Sequence, residues 1–448
     1  MAGPYCFVVP LARPTGLRSS CHVISPSGMS GSSKDVLTSS HHRSYVSQSG
    51  LAAILKSIKE NGLPKGTSRS SIKRARDEAL PAELFTTVQL EMDDGTLKQF
   101  PCVQPILLIK HLIEVVPSFA DFFFGKLLQH QNDQGHKWKL CIYSDEILPG
   151  NIIKPRNERK LVTLYYSFCE FDSALGCEDL WFVLCTIRSN LVKKIKSGWS
   201  QVFRVMGELF FRVPYNIGLG VMIHNERLGS HLLFGIIGLL IGDEQAVKNC
   251  WASKGASGLF PCFFCKNATL HSLSLWQTDS TNYLQSHCQL DVNKLQFQSD
   301  NSLRSAVQHL KNRHGTVSKE AFARIEKSLG LNYAPAGALQ SDTFWDLLDG
   351  GPISVTQYDY MHTLLVSGAW NTETGMLFQV LKDHISCKTA DDFVRKFVWP
   401  IQWESRSATG KRCLEKHTAD GGEVKASASE GLSVYPVIRL LLMEASLC

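Results

Sequence analysis

The chain has 448 residues, of which 44% are hydrophobic and 20% are charged, so it can form two or three packed domains and is not an intrinsically disordered protein. Its net charge of +6 permits a nucleic-acid partner without requiring one. The most apolar run, residues 232–241, is far shorter than the roughly 20 residues of a membrane-spanning helix, so we expect a buried strand there and no membrane association.

The first 80 residues fall into two parts of different composition. Residues 1–45 are rich in Ser, Gly and Pro, and we expect a disordered leader, although a transit peptide is the alternative. Residues 46–82 predict two short helices joined by a turn at Asn61-Gly62, and the second helix is basic, which is typical of a helix-turn-helix segment. A solvated helical hairpin is the alternative. In the DNA-binding interpretation, one basic face contacts phosphates through Arg69, Lys73, Arg74 and Arg76.

Residues 83–136 predict a connecting layer, and residues 137–253 predict the first part of an α/β core. In the layer, an alternating strand at 85–90 and a turn at 91–95 precede a buried helix at 107–124. The core elements in chain order are strands at 138–143, 161–168 and 180–187, a helix at 190–206, a strand at 232–241 and a helix at 244–251. This order is that of an RNase H-like fold, a mixed sheet with flanking helices.

Two aspartates stand where such a fold carries acids. Asp145 ends the first predicted strand, and Asp243 directly follows the fourth. Phosphodiester cleavage with two divalent ions needs two or three converging carboxylates, and Mg²⁺ or Mn²⁺ prefers oxygen ligands. The alternative is that aspartate after a strand is ordinary turn chemistry. A third acid would come from a later helix.

Two further motifs contain possible metal ligands. The spacing of Cys262 and Cys265 allows both thiolates to reach one Zn²⁺, although two buried thiols or a redox pair are alternatives. Further zinc ligands would be His271, His287, Cys288 or His362. We favour His362, because Asp359 lies three residues before it and could orient it or share its metal. The alternative is a helix-capping aspartate followed by a half-buried histidine.

The motifs Tyr143-Ser144-Asp145, Gly242-Asp243-Glu244, Cys262 with Cys265, and Asp359 with His362 occur in this order along the chain. The series resembles the D…D…CxxC…DxxH pattern of CACTA (En/Spm-like) and Plavaka-type transposases. Residues 141–151 and 254–258 also resemble transposon-derived proteins abundant in dinoflagellate genomes. The resemblance implies a DDE/D enzyme whose RNase H-like core contains a cysteine- and histidine-bearing helical insertion at 254–370, with the rest of the core at 371–448. Asp145 and Asp243 would be the first two acids, and Asp359 and His362 would belong to the insertion.

The third acid does not follow from the resemblance. Glu373, Glu404 and Glu430 come after His362, and we favour Glu430, which precedes an apolar run near a predicted helix start. Pro436 would then lie in an early turn of that helix. Little chain follows this run, so a truncated and inactive copy is also expected.

The sequence therefore predicts a nuclear DNA transposase that acts as a homo-oligomer. It would cleave and transfer the ends of double-stranded transposon DNA with Mg²⁺ or Mn²⁺ at Asp145, Asp243 and Glu430, and would bind Zn²⁺ at the cysteine pair. One alternative is a catalytically inactive, transposon-derived DNA-binding protein. Another is a zinc-stabilised nuclear scaffold without a DNA role.

Overall fold

A computed structural model describes residues 81–147, 160–255, 262–265, 293, 296–365, 368–381, 383–400, 424, 426 and 428–445. The chain divides into two units, Met1–Pro81 and Ala82–Cys448, and nearly all the described residues belong to the second unit. The predicted leader at 1–45 lies outside the described residues, as do the predicted DNA-contacting residues Arg69, Lys73, Arg74 and Arg76.

A hairpin and two helices open the second unit. Strand β1 (Phe85–Glu91) pairs antiparallel with β2 (Leu97–Val103) around the predicted turn. The expected single helix over 107–124 is two helices, α1 (Pro105–Val115) and α2 (Pro117–Gln129). Pro117 explains the break, because the residue before a proline is disfavoured in helical conformation, and the residue at 116 is extended.

The elements that follow are, in chain order, β3 (Trp138–Ile147), β4 (Leu161–Phe168), β5 (Phe182–Arg188), α3 (Ser189–Val192), α4 (Gly198–Glu208), β6 (Val221–Asn225), β7 (Gly229–Leu233), β8 (Gly235–Gly242), α5 (Glu244–Trp251), α6 (Asp300–Arg313), α7 (Lys319–Leu329), α8 (Asp342–Trp345), α9 (Pro352–Val355), β9 (Thr356–Tyr358), α10 (Tyr360–Leu364), α11 (Ala369–Val380), α12 (Cys387–Lys396) and α13 (Ala428–Glu444). None of the described helices has the length and apolar character needed to cross a membrane.

The central sheet has five strands in the order β5-β4-β3-β8-β9. Strands β5, β4 and β3 pair antiparallel, whereas β8 pairs parallel with β3 and β9 pairs parallel with β8. The expected α/β class with a mixed sheet and flanking helices is therefore observed. Because parallel strands end at the same edge of a sheet, the carboxyl ends of β3, β8 and β9 lie together.

Two helices are tied to the strands at this edge. On α4, the indole N–H of Trp199 donates to Ser144 Oγ of β3 at 3.0 Å, and both residues are buried. On α5, the indole N–H of Trp251 donates to Thr356 Oγ1, the first side chain of β9, at 2.7 Å. These buried bonds are costly to break, so they fix the ends of β3 and β9 relative to the helices.

Several elements differ from the sequence prediction. The strand expected at 232–241 is divided at Phe234 between β7 and β8, and the β6–β7 hairpin was not predicted. The helix expected at 190–206 is interrupted before Gly198, where Ser197 has a positive φ of 62°. Strand β9 lies within 254–370, the range assigned to the insertion, yet it completes the central sheet.

A second hydrophobic cluster involves the helices that follow β9. It joins buried side chains of α11, α12 and α13, among them Phe378, Val394 and Val437. In α13, Pro436 lies well inside the helix and not in its first turn, contrary to the sequence prediction.

Candidate active site

Three aspartates lie at one edge of the central sheet, on three neighbouring strands. Asp145 is near the end of β3, Asp243 directly follows β8, and Asp359 directly follows β9. Residue 144 is in register with Gly242, which is in register with residue 358. Parallel pairing thus brings together residues that are about 100 positions apart in the sequence.

Backbone N–H groups hold one oxygen of each carboxylate. Asp145 Oδ1 accepts from the N–H of residue 146 at 2.7 Å. Asp243 caps α5 by accepting from Ala246 at 2.6 Å, and Asp359 caps α10 by accepting from Met361 at 2.8 Å. The capping role that the sequence allowed for Asp359 is therefore observed, and these backbone bonds use one oxygen of each aspartate.

Asp359 also orients a histidine. Its Oδ2 lies 2.7 Å from Nδ1 of His362, and the side chains are 16% and 40% exposed. A hydrogen bond at Nδ1 fixes the plane of the imidazole, and when Nδ1 carries the proton, Nε2 can accept a proton or a metal. The pair therefore adds a nitrogen donor beside the carboxylates.

The electrostatic effects show that these groups are neighbours. Burial raises the pKa of the Asp145 carboxyl above its ordinary value, and the charges of Asp243 and Asp359 raise it further. The hydrogen bond from the N–H of residue 146 and the nearby His362 lower it. The same three carboxylates, after burial, raise the pKa of the Tyr143 hydroxyl. Like charges are thus concentrated at this edge of the sheet, and a bound cation would relieve their repulsion.

The donor chemistry of this edge suits a hard divalent cation, because Mg²⁺ and Mn²⁺ prefer carboxylate oxygens. Within the described part of the chain, however, no three His, Cys, Asp or Glu side chains converge closely enough to enclose a metal ion. The aspartates that would hold Mg²⁺ are thus on adjacent strands but not closed around one point.

Two of the aspartates open into a cleft of about 580 Å³, whose lining consists of Tyr143, Asp145, Tyr165, Glu178, Trp181, Ile241 and Asp359. Sequence reasoning missed its aromatic residues. The one available signal was alternation, since Tyr143 and Asp145 are two residues apart on a strand and so face the same side.

The cysteine pair lies on a tight turn, with the N–H of Cys265 donating to the carbonyl oxygen of Cys262 at 3.5 Å. Burial and then the neighbouring Cys262 raise the pKa of the Cys265 thiol to about 12. Phe263 lies between the two cysteines in this turn. Its backbone N–H donates to the hydroxyl of Tyr358 at 3.3 Å, so the turn contacts the end of β9.

A zinc site at this turn stays a prediction. Among the described residues, none completes a group of three metal ligands with the two cysteines, and Nδ1 of His362 is hydrogen-bonded to Asp359. The other proposed ligands, His271, His287 and Cys288, lie outside the described residues.

The candidates for the third acid are in different places. Glu430 is buried near the start of α13, and the next residue, Gly431, lies against Trp370 of α11. Glu373 is exposed on α11, and Glu404 lies outside the described residues. The carboxylates that affect the pKa of Asp145 include Asp243 and Asp359, so Asp359 is electrostatically coupled to the first predicted acid.

A scan against models of protein families and a search of curated proteins both return no match to this chain.

Proposed function

We propose that this chain has an RNase H-like core and acts as a DNA transposase that cleaves DNA ends and transfers strands with Mg²⁺ or Mn²⁺. The observation that carries the proposal is the position of Asp145, Asp243 and Asp359 at the carboxyl ends of three neighbouring parallel strands. The order of the motifs in the sequence, and their resemblance to CACTA and Plavaka-type transposases, also support it. On this proposal the partner is double-stranded DNA, and the protein acts in the nucleus as a homo-oligomer.

The sheet topology supports the RNase H-like assignment. Three antiparallel strands are followed by a helix, a strand parallel to the first, a second helix and a last parallel strand, β9. This is the arrangement expected of an RNase H-like sheet. On this basis the insertion lies between α5 and β9, and it ends earlier than the boundary at residue 370 that the sequence suggested.

In this proposal Asp359 is the third acid and Glu430 is not. Asp359 follows the strand next to β8, its charge raises the pKa of Asp145, and it lines the same cleft. Glu430 lies buried on α13, among the residues that pack between α11 and α13. The insertion would then separate the second acid from the third.

The chemistry assigned to this edge is displacement at a phosphodiester. Two divalent ions, ~3.5–4 Å apart, would stabilise the attacking and leaving oxygens. Asp145, Asp243 and Asp359 would hold them through their carboxylate oxygens. His362, oriented by Asp359, would keep part of the negative charge compensated, since its proximity lowers the pKa of Asp145. Ionised carboxylates are the form that the site needs.

The proposal is tested with the purified full-length chain and labelled duplex and plasmid DNA in Mn²⁺ or Mg²⁺. We expect nicking and strand transfer that chelation abolishes and that Asp145→Asn or Asp243→Asn reduces more than about 100-fold, since even partners that only support metal ligands contribute 10–100-fold. Asp342→Asn is the matched control, because that carboxylate is 79% exposed on α8. Cleavage that persists unchanged in Asp145→Asn would contradict the proposal.

The alternative that the sequence left open is a catalytically inactive protein that binds DNA without cleaving it. DNA binding without cleavage, together with a melting temperature that Mn²⁺ leaves unchanged, would favour this function over the first.

A further inference from the structure

Three aromatic side chains form a continuous wall beside the acidic edge, and we call Tyr143, Tyr165 and Trp181 the aromatic wall. The rings of Tyr143 and Tyr165 are stacked, with centroids 6.1 Å apart and planes at 28°. Trp181 meets Tyr143 edge-on, with centroids 6.1 Å apart and planes at 65°. All three line the cleft into which Asp145 and Asp359 open.

The wall is held in place by the backbone around it. Tyr143 and Tyr165 are opposite each other in the β3–β4 register, which sets their stacking. The indole N–H of Trp181 donates to the carbonyl oxygen of Leu175 at 2.9 Å. The backbone N–H of Trp181 donates to the carbonyl oxygen of Glu178 at 3.1 Å. The rings therefore present a preformed apolar surface, which costs a ligand little conformational entropy.

The two tyrosine hydroxyls of the wall lie near enough to Asp145 to feel its charge. Burial, and after it the charge of Asp145, raises the pKa of the hydroxyls of Tyr143 and Tyr165. Both phenols therefore stay protonated at neutral pH and can donate hydrogen bonds. A ligand in the cleft therefore meets three aromatic side chains together with the acidic residues Asp145, Glu178 and Asp359.

Few ligands combine a flat aromatic ring with a group that belongs at a divalent-metal site. A nucleotide does, because its base can stack on tyrosine and tryptophan rings while its phosphate binds the ions held by the carboxylates. The cleft volume of about 580 Å³ falls within the ~300–1,000 Å³ typical of small-ligand sites. A base in a paired duplex is covered on both faces, so only an unpaired base could lie against the wall.

We propose that the aromatic wall binds one unpaired nucleobase of the DNA strand whose phosphate lies at Asp145, Asp243 and Asp359. The inference rests on the proposed function and adds to it a binding site for the base next to the reacting phosphate. It implies that the DNA is unpaired at this nucleotide when it is engaged.

Glu178 gives the site a preference among bases. Glu178 lines the cleft, and its backbone carbonyl oxygen accepts the N–H of Trp181, which fixes its backbone next to the wall and leaves its carboxylate within reach of a bound base. A carboxylate accepts hydrogen bonds from an exocyclic amino group, such as that of cytosine, and thymine has no such group. The site should therefore prefer an unpaired cytosine to an unpaired thymine.

The test uses the full-length protein and duplex DNA containing one unpaired 2-aminopurine, whose fluorescence falls when it stacks. Binding is measured in Ca²⁺, which also takes carboxylate ligands. We expect quenching for the wild type. Trp181→Ala and Tyr165→Ala should remove it and weaken binding about 5- to 100-fold, the range expected for one lost base–aromatic stack. Trp181→Phe should retain quenching, and circular-dichroism melts show whether each variant folds.

A matched control and the base preference complete the experiment. Tyr435→Ala removes an aromatic ring that is 52% exposed on α13, and it should change neither quenching nor affinity. Glu178→Gln, a change at an exposed residue, should reduce the preference for cytosine over thymine and leave stacking intact. Equal binding of fully paired DNA, or wild-type quenching in both alanine variants, would overturn the inference.

The outcomes also separate the two proposals. Quenching without any strand cleavage would leave the base site standing and contradict the nuclease activity. Mn²⁺-dependent cleavage without quenching would do the reverse. Failure to bind either DNA would overturn both.

Discussion

The backbone N–H of Asp359 donates a 2.8 Å hydrogen bond to the carbonyl oxygen of Gly242. Because Asp243 directly follows Gly242, this bond sets the two aspartates side by side at the carboxyl ends of β9 and β8. Strand β9 has only three residues, yet its pairing connects the Asp359–His362 pair to the edge that carries Asp145. The relationship leads directly to a test of which acid is the third.

The first prediction compares Asp359→Asn with Glu430→Gln. We expect Asp359→Asn to reduce Mn²⁺-dependent DNA cleavage more than about 100-fold, because the amide keeps the shape but loses the negative charge that a metal ligand needs. Glu430→Gln should retain cleavage, and its effect should appear in the melting temperature, since Glu430 is buried. The reverse pattern, with cleavage lost only in Glu430→Gln, would return the third acid to α13.

The second prediction concerns the cost of the acidic edge to stability. The pKa of Asp145 is raised in the folded protein, so the native state holds this proton more tightly than the unfolded chain. Stability therefore falls as pH rises from the ordinary aspartate pKa through the raised one, and the deficit persists at neutral pH. Asp145→Asn should remove it and raise the melting temperature of the metal-free protein, since the amide carries no charge for burial and the neighbouring carboxylates to destabilise.

The same melts contain their own checks. The advantage of Asp145→Asn should shrink as the pH is lowered, and Mn²⁺ should stabilise the wild type but not the variant, because a ligand stabilises only the state that binds it. The control Asp342→Asn should show neither behaviour. An Asp145→Asn protein that melts below the wild type at neutral pH would show that the carboxylate contributes favourably without metal.

Much of the sheet could be predicted from local patterns. Strand β4 and helix α5 have the predicted bounds, because each is a run of one periodicity that ends at a clear boundary signal. The break at Pro117 was also available from the sequence, since a proline disfavours helical conformation in the residue before it. The division of 232–241 was not, because the apolar run continues through Phe234 and only the sheet pairing separates β7 from β8.

The site residues that stand at the ends of long strands could be predicted from the sequence. Those that are brought together by the pairing of distant strands could not. Asp145 and Asp243 were identified because each lies at the end of a long apolar run. Asp359 was assigned to an insertion from the resemblance of its motif, and residues 356–358 are too few to show the alternation that would have indicated a strand. Its place beside Asp243 results from a contact across more than 100 positions. The stacking of Tyr143 on Tyr165 likewise depends on the β3–β4 register, which composition does not reveal.

The third prediction tests whether α5 positions Asp359 through β9. Thr356→Val removes the acceptor of the buried Trp251 indole N–H and leaves that donor unsatisfied, which costs about 1–3 kcal/mol. We expect a lower melting temperature and weaker Mn²⁺ binding together, because Thr356 begins the strand that ends at Asp359. Thr316→Val, at an exposed turn, is the control and should alter neither quantity. A loss of stability with unchanged Mn²⁺ affinity would show that the bond supports the fold alone.

The last prediction concerns His362, whose Nδ1 is held by Asp359 Oδ2 at 2.7 Å. The nearby His362 lowers the pKa of Asp145, so His362→Ala should raise that pKa. Mn²⁺ binding requires the ionised carboxylate, and its loss on acidification should therefore begin at a higher pH in the variant than in the wild type. Removing the imidazole that is hydrogen-bonded to Asp359 Oδ2 should also reduce Mn²⁺ affinity about 10-fold at neutral pH. His224→Ala, on the exposed β6–β7 hairpin, is the control and should leave the pH profile in place. If Mn²⁺ binding in His362→Ala is lost at the same pH as in the wild type, or at a lower pH, then His362 does not lower the pKa of Asp145.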